Sequence, residues 1–367
     1  MKIIQRYYLK EFFKLFGIIC IGLSLILSLI ELINRIDDFM PHKPKAGDLL
    51  LYFILNMPHY LLYLMPMAGL ISGLFVFGQA GRRRETMIAK ASGYSIKALL
   101  MPFVYSGILL SIAGFLIGEV IAADSNRMAY RLRNVLSKKE NVLTVKEGTT
   151  WLKSKDSIIK VDIYLPDKGI IKGISIVKTE DDAITERIEA DTGEWKPALE
   201  ASSGPTGGVW YLRGVTAYKI KEGTVKKFRE LPFDAIDSPE IFKEGAQESD
   251  ILRDTMNVRG LIKYTNRLRE AGFKNINFLV DIHSKISYPA INLIMLVLGI
   301  SLSVRGELMG GLITAAIGIA ISMLYLFGFS MSLSMGYAGI LSPIAAAWLM
   351  PVVFGGVAWW LFRKIPE

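Results

Sequence analysis

The chain has 367 residues, of which 51% are hydrophobic and 21% charged, with a formal net charge of +9. Apolar and charged residues in these proportions must be segregated along the sequence, which is the pattern of membrane spans joined to a water-facing part rather than of one soluble domain. A single cysteine, Cys20, excludes an internal disulfide and a cysteine-based metal site, and the excess positive charge lies beside apolar runs, where topology and anionic head groups account for it better than nucleic acid does.

Lys2, Arg6, Lys10 and Lys14 precede a first apolar run of span length, Leu15–Ile33, with no small-residue cleavage site after it, so it reads as a retained helix. Glu31 lies near the far end of this run and Asn34-Arg35-Ile36-Asp37-Asp38 follow. Ionisable groups there either mark the interface or face water or protein. The next stretch, Leu49–Gly78, is too long for one upright span and contains Pro58 and Pro66. Proline removes a backbone donor, which predicts a break: an interfacial or tilted helix at Asp48–Met57, then span two over Tyr60–Phe77. Gly69, Ser72 and Gly73 give that span a small-residue side suited to close helix packing.

Residues 82–97 form a short basic segment between two spans, with Arg82, Arg83, Arg84, Lys90 and Lys97. The positive-inside rule places it in the cytoplasm. Met87, Ile88 and Ala91 recur at helical spacing, and Gly93 is a stop signal after Ser92. The segment reads as a short surface helix shaped for another protein; a basic loop that only fixes topology is the competing reading.

Span three is expected over Ala98–Ala122, with Glu119 at its far end, and helical character continues over Asp124–Ser137. From about Lys138 no segment can span. Short alternating runs appear instead at Asn141–Val145, Thr150–Lys153, Ser157–Tyr164, Ile170–Lys178, Ile184–Ala190, Val209–Ile220 and Thr224–Leu231. They are broken by Pro166-Asp167-Lys168-Gly169, Asp191-Thr192-Gly193 and Gly204–Gly208. Such strands and turns predict an antiparallel sandwich or barrel-like sheet, with Ile158, Val161, Ile163, Ile174, Ile176, Trp210 and Leu212 facing its core. Asp250–Asn275 returns to helix. A polar lead-in, Asp281–Lys285, opens span four at Ile286–Val304, which Pro289 should kink; Arg305-Gly306-Glu307 is a tight turn. Span five covers Met309–Met331 and span six Ile340–Phe362. Six spans put both ends of the chain in the cytoplasm and the sheet-forming insert outside it. The organisation is residues 1–137 for spans one to three, 138–250 for the β-domain, 251–280 for a helical return and 281–367 for spans four to six.

No glycine is followed by lysine, so a Walker A loop is absent. His42, His59 and His283 lack metal-ligand spacing, and neither His-Glu-x-x-His nor Gly-x-Ser-x-Gly occurs. Serines inside spans, among them Ser24, Ser28, Ser111, Ser301, Ser303 and Ser322, suit helix packing better than nucleophilic chemistry. Glu31, Glu119 and Asp281 fall at one interface rather than at mid-depth, which disfavours an ion-coupled carrier. The residues describe a membrane protein without its own engine, with a docking helix and an exported β-domain.

Arg84-Glu85-Thr86-Met87-Ile88-Ala89-Lys90-Ala91-Ser92-Gly93-Tyr94, Gly118-Glu119-Val120-Ile121-Ala122 and Gly260-Leu261-Ile262-Lys263-Tyr264 resemble the lipopolysaccharide export permeases of the LptF/LptG family. The resemblance covers nearly the whole chain and leans slightly toward the LptG members. It implies six transmembrane helices with an inserted periplasmic β-jellyroll in the inner membrane, and a non-enzymatic, cofactor-free half-transporter. Such a half pairs with a homologous permease and binds an LptB ATPase dimer, LptC and the periplasmic bridge. It implies that Arg84, Glu85, Met87, Ile88, Ala91, Ser92 and Gly93 form the coupling helix on the ATPase. It also implies that lipopolysaccharide meets the end of span one, where Glu31, Asn34, Arg35 and Lys43 are the candidate contacts. LptG members carry a lysine about one residue before Arg35, where this chain has Asn34. A non-transporting envelope scaffold remains the alternative from another class.

Overall fold

The structure is a computed structural model that describes residues 3–93, 95–137, 142–146, 149–153, 157–165, 170–180, 183–197, 208–219, 224–233, 256–270, 276–305 and 311–365. In chain order the helices are α1 (Ile3–Asn34), the short α2 (Ile36–Phe39), α3 (Ala46–Arg82), the short α4 (Glu85–Ala91), α5 (Ile96–Leu116) and α6 (Ala123–Leu136). A π-helical turn at Ile117–Ala122 makes α5 and α6 continuous. After seven strands come α7 (Val258–Glu270), α8 (Ile276–Arg305), α9 (Gly311–Tyr337) and α10 (Pro343–Arg363). Among the described residues six helices are long and apolar enough to cross a membrane, and an antiparallel sheet lies between the third and fourth of them in sequence. The protein is therefore an α-helical membrane protein with an inserted β-domain. It divides into two compact units, Met1–Ala129 with Lys274–Glu367, and Tyr130–Phe273.

In the first unit α3 and α8 are central. Protein buries 67% of the most apolar window of α3 and 56% of that of α8, against 17–33% for the other four spans. The outer spans thus leave most of their apolar surface for lipid or for another chain. One core cluster gathers Tyr8, Phe12, Phe77, Leu99, Phe103 and Leu296; a second gathers Leu70, Leu74, Met295, Tyr325 and Phe329. Close approach of α3 and α8 needs Gly299, because a β-carbon there would lie 2.6 Å from the Leu70 carbonyl oxygen. Gly73 serves the same contact beside Ile300, whereas no neighbour lies within 4 Å of a β-carbon built at Gly69.

The break expected between Met57 and Tyr60 does not occur: α3 runs unbroken through Pro58 and Pro66. Helices in a bilayer tolerate proline when neighbours supply partners to the weakened carbonyls. The prolines free the Ile54 and Leu62 carbonyls, and carbonyls beside these are bonded from other helices, which hold α3 in place: the Ser28 hydroxyl of α1 donates to the Phe53 carbonyl at 2.5 Å, Cys20 Sγ lies 3.6 Å from the Leu61 carbonyl, and the Tyr288 hydroxyl of α8 donates to the Tyr63 carbonyl at 2.8 Å. Ser24, Ser111 and Ser303 also donate to backbone carbonyls, as packing hydroxyls do. The polar lead-in to span four is part of α8 itself. Asp281 is buried there near the start of the helix, accepting from the hydroxyl of Tyr337, the last residue of α9, at 2.6 Å.

In the second unit, strands β1 (Val142–Lys146), β2 (Thr149–Lys153), β3 (Ser157–Leu165), β4 (Ile170–Glu180), β5 (Ala183–Pro197), β6 (Gly208–Lys219) and β7 (Thr224–Phe233) form one antiparallel sheet in sequential order. Ile159, Val161, Ile174, Ile176, Ile188 and Leu212 are buried in its core. Ile158 is exposed instead of buried. Lys160 and Asp162 pair at 2.9 Å on the opposite face, and the period of two then puts Ile159 and Val161 inside. Ile163 and Trp210 lie in strands, but their side chains fall outside the described residues, as do the turns 166–169 and 204–207, Gly306-Glu307 and residues 250–255.

Asp191-Thr192-Gly193 is not a turn; β5 continues through it. Buried residues are three apart at this level in three neighbouring strands: Ile171 and Ile174, Ala190 and Gly193, Leu212 and Val215. Gly173 and Gly214 take φ values of +64° and +67° at the same level, opposite Asp162 and Asp191 respectively. The left-handed glycines let the pleat skip a residue in register, so the sheet bends along a line while one face stays apolar. The turn-forming residues mark that line rather than a chain reversal.

Candidate functional sites

The α4 segment is built by two left-handed residues. The chain leaves α3 at Arg83, whose N–H bonds back to the Gln79 carbonyl, and reverses at Arg84, with φ +56°. Glu85 opens α4, where a carboxylate suits the positive end of the helix. Gly93, with φ +76°, follows the last turn, and Ser95 caps α5 by accepting from the Ala98 N–H. Met87 and Ile88 are about two-thirds exposed, and Arg84, Ala91, Ser92 and Gly93 are exposed beside them. Thus Met87, Ile88 and Ala91 point away from the bundle.

Glu85 differs from the rest of the set, because its carboxylate turns inward. The Tyr8 hydroxyl of α1 donates to Oε2 at 2.5 Å, and Arg83 Nη1 lies 3.8 Å from Oε1. A small groove lined by Tyr7, Tyr8, Glu11, Gln79, Arg83 and Glu85 opens at this junction. Tyr8 was not among the residues singled out in the sequence. It lies 77 positions from Glu85, and only the meeting of α1 with the end of α3 brings the two together.

At the opposite end of α1, Arg35 is enclosed by acids. Its Nε lies 3.1 Å from Glu31 Oε1 and its Nη1 3.8 Å from Asp38 Oδ2. Glu31 Oε2 also accepts from the Tyr60 hydroxyl at 3.4 Å. Desolvation works against the Arg35 charge, but the hydrogen bond and charge of Glu31, with Tyr52 and Asp38, hold its pKa above the ordinary arginine value. Phe39 is fully buried against Tyr52, with ring centroids 5.3 Å apart, and anchors the turn after α1. Asn34 and Lys43 are both exposed, and Lys43 adopts a left-handed φ of +48° where the 3-10 turn Met40–His42 ends. The structure therefore groups Glu31 and Arg35 with Asp38 and Tyr60; no contact brings Asn34 or Lys43 into that group among the described residues. Tyr60 carried no sequence signal of its own, being one of several tyrosines in an apolar run.

A family described as lipopolysaccharide export system permease LptF/LptG matches residues 6–364. The lipopolysaccharide export system permease protein LptG of Escherichia coli (strain K12) is 22% identical over 374 residues, covering 99% of this chain and 98% of that protein. LptG of Escherichia coli O6:H1 gives the same identity and coverage.

Proposed function

The chain belongs to the lipopolysaccharide export permease LptF/LptG family, and from that premise we propose that it is an LptG-type transmembrane half of an ATP-driven exporter in the inner membrane. In this reading a separate cytoplasmic ATPase dimer of the LptB type grips α4 and supplies the energy. A homologous LptF-type permease completes the lipid path, LptC adds a further helix, and the β-domain, on the periplasmic side, passes lipopolysaccharide to the bridge. The chain itself is not an enzyme.

One observation carries the reading: a short helix between two spans holds Met87 and Ile88 out into solvent beside an acidic first turn. Apolar side chains displayed this way, with charged neighbours around them, suit burial in a protein partner. The Arg35 end supports the substrate side of the proposal. A guanidinium at the end of a span, half-buried and kept charged, is chemically matched to lipid phosphate. Glu31 occupies part of that guanidinium, so phosphate would have to displace or share it.

The experiment is reconstitution of the chain with its permease partner and the ATPase in proteoliposomes, followed by measurement of ATP-dependent lipopolysaccharide release to an acceptor. Release that requires ATP and all three proteins is expected. An ATPase that never copurifies with the chain would refute the exporter reading and favour a scaffold. Labelling of introduced cysteines from each side of the membrane tests the topology. Residues 82–97 and the β-domain must react from opposite sides.

A further inference from the structure

Helix α4 has seven residues, far below the length at which a helix is stable by itself. Met87 and Ile88 face outward, so neither fixes it against the bundle. Two hydrogen bonds from one face of α1 hold the segment that carries it. Gln5 Nε2 donates to the Ala98 carbonyl at 2.9 Å, and Tyr8, three residues on, donates to Glu85. The first of these is dictated by sequence, because Pro102 has no N–H to offer the carbonyl four residues before it, which is that of Ala98. Together they fasten both ends of the α4 segment, at Glu85 and at the first turn of α5, to a single turn of α1.

Tyr8 is also a rigid support. It is 4% exposed, and its ring lies 5.7 Å from that of Phe77 in α3. Phe77 in turn meets Phe103 of α5 at 4.8 Å, and Phe103 meets Phe12 of α1 at 5.7 Å. A force applied to the first turn of α4 thus enters an aromatic cluster that joins three spans. Through the same side chain it enters α1.

We propose that Tyr8 is a positioning residue: its bond to Glu85, with that of Gln5 to Ala98, clamps α4 to α1, so that movement of α4 is delivered directly into α1 and not only along the chain into α3 and α5. This rests on the exporter reading for the source of the movement; the clamp itself does not.

The test uses the full chain in lipid nanodiscs, with spin labels at Lys10→Cys and Ser92→Cys in a Cys20→Ala background. The unsubstituted clamp should give one narrow distance distribution. Tyr8→Phe removes only the hydroxyl and should broaden it, raising the population of displaced α4 about tenfold, as expected for loss of a hydrogen bond to a charged group. Tyr7→Phe, which alters the neighbouring ring but not the bond, should leave it narrow. No broadening in Tyr8→Phe, or equal broadening in both variants, overturns the clamp. In the reconstituted exporter Tyr8→Phe should keep the ATPase bound and hydrolysing while the lipid moved per ATP falls about fivefold or more, the lower end of the usual range of coupling between sites. An unchanged yield per ATP overturns delivery through α1. Failure of the unsubstituted chain to bind an ATPase would refute the exporter reading and not the clamp, which the label distances decide by themselves.

Discussion

The Tyr8 hydroxyl of α1 donates a 2.5 Å hydrogen bond to the Glu85 carboxylate of α4, and this ties the start of the first span to the segment between the second and third. The carboxylate is thereby engaged inside the chain, while Met87 and Ile88 stay exposed. Acid and apolar pair, which read in the sequence as a single docking surface, face different ways. The two halves of that surface can therefore be tested separately.

Met87→Glu with Ile88→Glu removes the apolar contact without touching the Tyr8 bond. Full burial of two such side chains is worth about 1.5–3 kcal/mol each. The double variant should weaken ATPase binding by well over about tenfold and leave the melting temperature of the isolated chain unchanged. Copurification and stimulated ATP hydrolysis measure the first, and thermal unfolding in detergent the second. Retained stimulation would place the partner elsewhere.

Glu85→Lys acts on the carboxylate half. It removes the acceptor to which the Tyr8 hydroxyl donates and puts a cation beside Arg83, so the bond is lost and like charges meet. Stimulated ATP hydrolysis should be lost while the protein still inserts, as membrane fractionation would report. Full coupling in this variant would remove Glu85 from the site.

Much of this arrangement was legible in the sequence, and the parts that were not share a cause. Six apolar runs and seven alternating runs announce their elements because span length and a period of two are properties of consecutive residues. Pro58 and Pro66 misled because what holds α3 straight past them, packing and bonds from Ser28 and Tyr288 to carbonyls beside the freed ones, comes from other helices. Asp191-Thr192-Gly193 misled because a bend within a sheet and a turn between strands use the same residue types. Ile158 and Ile159 are adjacent, so hydrophobicity alone leaves the parity of β3 open; the polar positions Lys160 and Asp162 resolve it. Tyr8, Gln5 and Tyr60 matter through partners 29 to 93 positions away, which no local pattern encodes.

Arg35 gives a signed prediction. Because Glu31 shares the guanidinium, Glu31→Gln should free it for an anion, and Arg35→Gln should remove it. The pair is partly exposed, so the gain from Glu31→Gln is limited to about fivefold, the value of a screened surface ion pair. Photocrosslinking of lipopolysaccharide from a probe beside Arg35 should rise in the first variant and fall in the second. Equal crosslinking in both would exclude Arg35 from the lipid site.

Gly299→Ala tests the centre of the helical unit. The added carbon would meet the Leu70 backbone, with its carbonyl oxygen at 2.6 Å and its α-carbon at 3.2 Å, and backbone cannot swing aside as a side chain can. α3 and α8 must then separate, at about 1–3 kcal/mol. The same change at Gly69, where no neighbour lies within 4 Å, should be nearly neutral. A lower melting temperature in detergent for the first variant only is expected; equal melting would mean the two helices are not held in this contact.

The bend in the β-sheet yields the last prediction. Alanine at Gly173 must adopt φ +64° and place its β-carbon 2.9 Å from that of Asp162. Left-handed backbone alone costs about 1–2 kcal/mol for a residue with a β-carbon. The clash adds to it, since the Asp162 β-carbon is fixed to its own strand and only the carboxylate can rotate away. Gly339 has a similar φ of +74°, yet nothing lies within 4 Å of its β-carbon, so Gly339→Ala carries the backbone cost without the contact. Hydrogen exchange separates the two effects by place. Gly173→Ala should speed exchange along β3 and β4, where Val161 pairs with Ile174 and Ile163 with Lys172. Gly339→Ala should speed it only in the turn between α9 and α10. If β3 and β4 exchange no faster in Gly173→Ala, the pleat can pass this level without a left-handed residue, and the bend does not depend on glycine there.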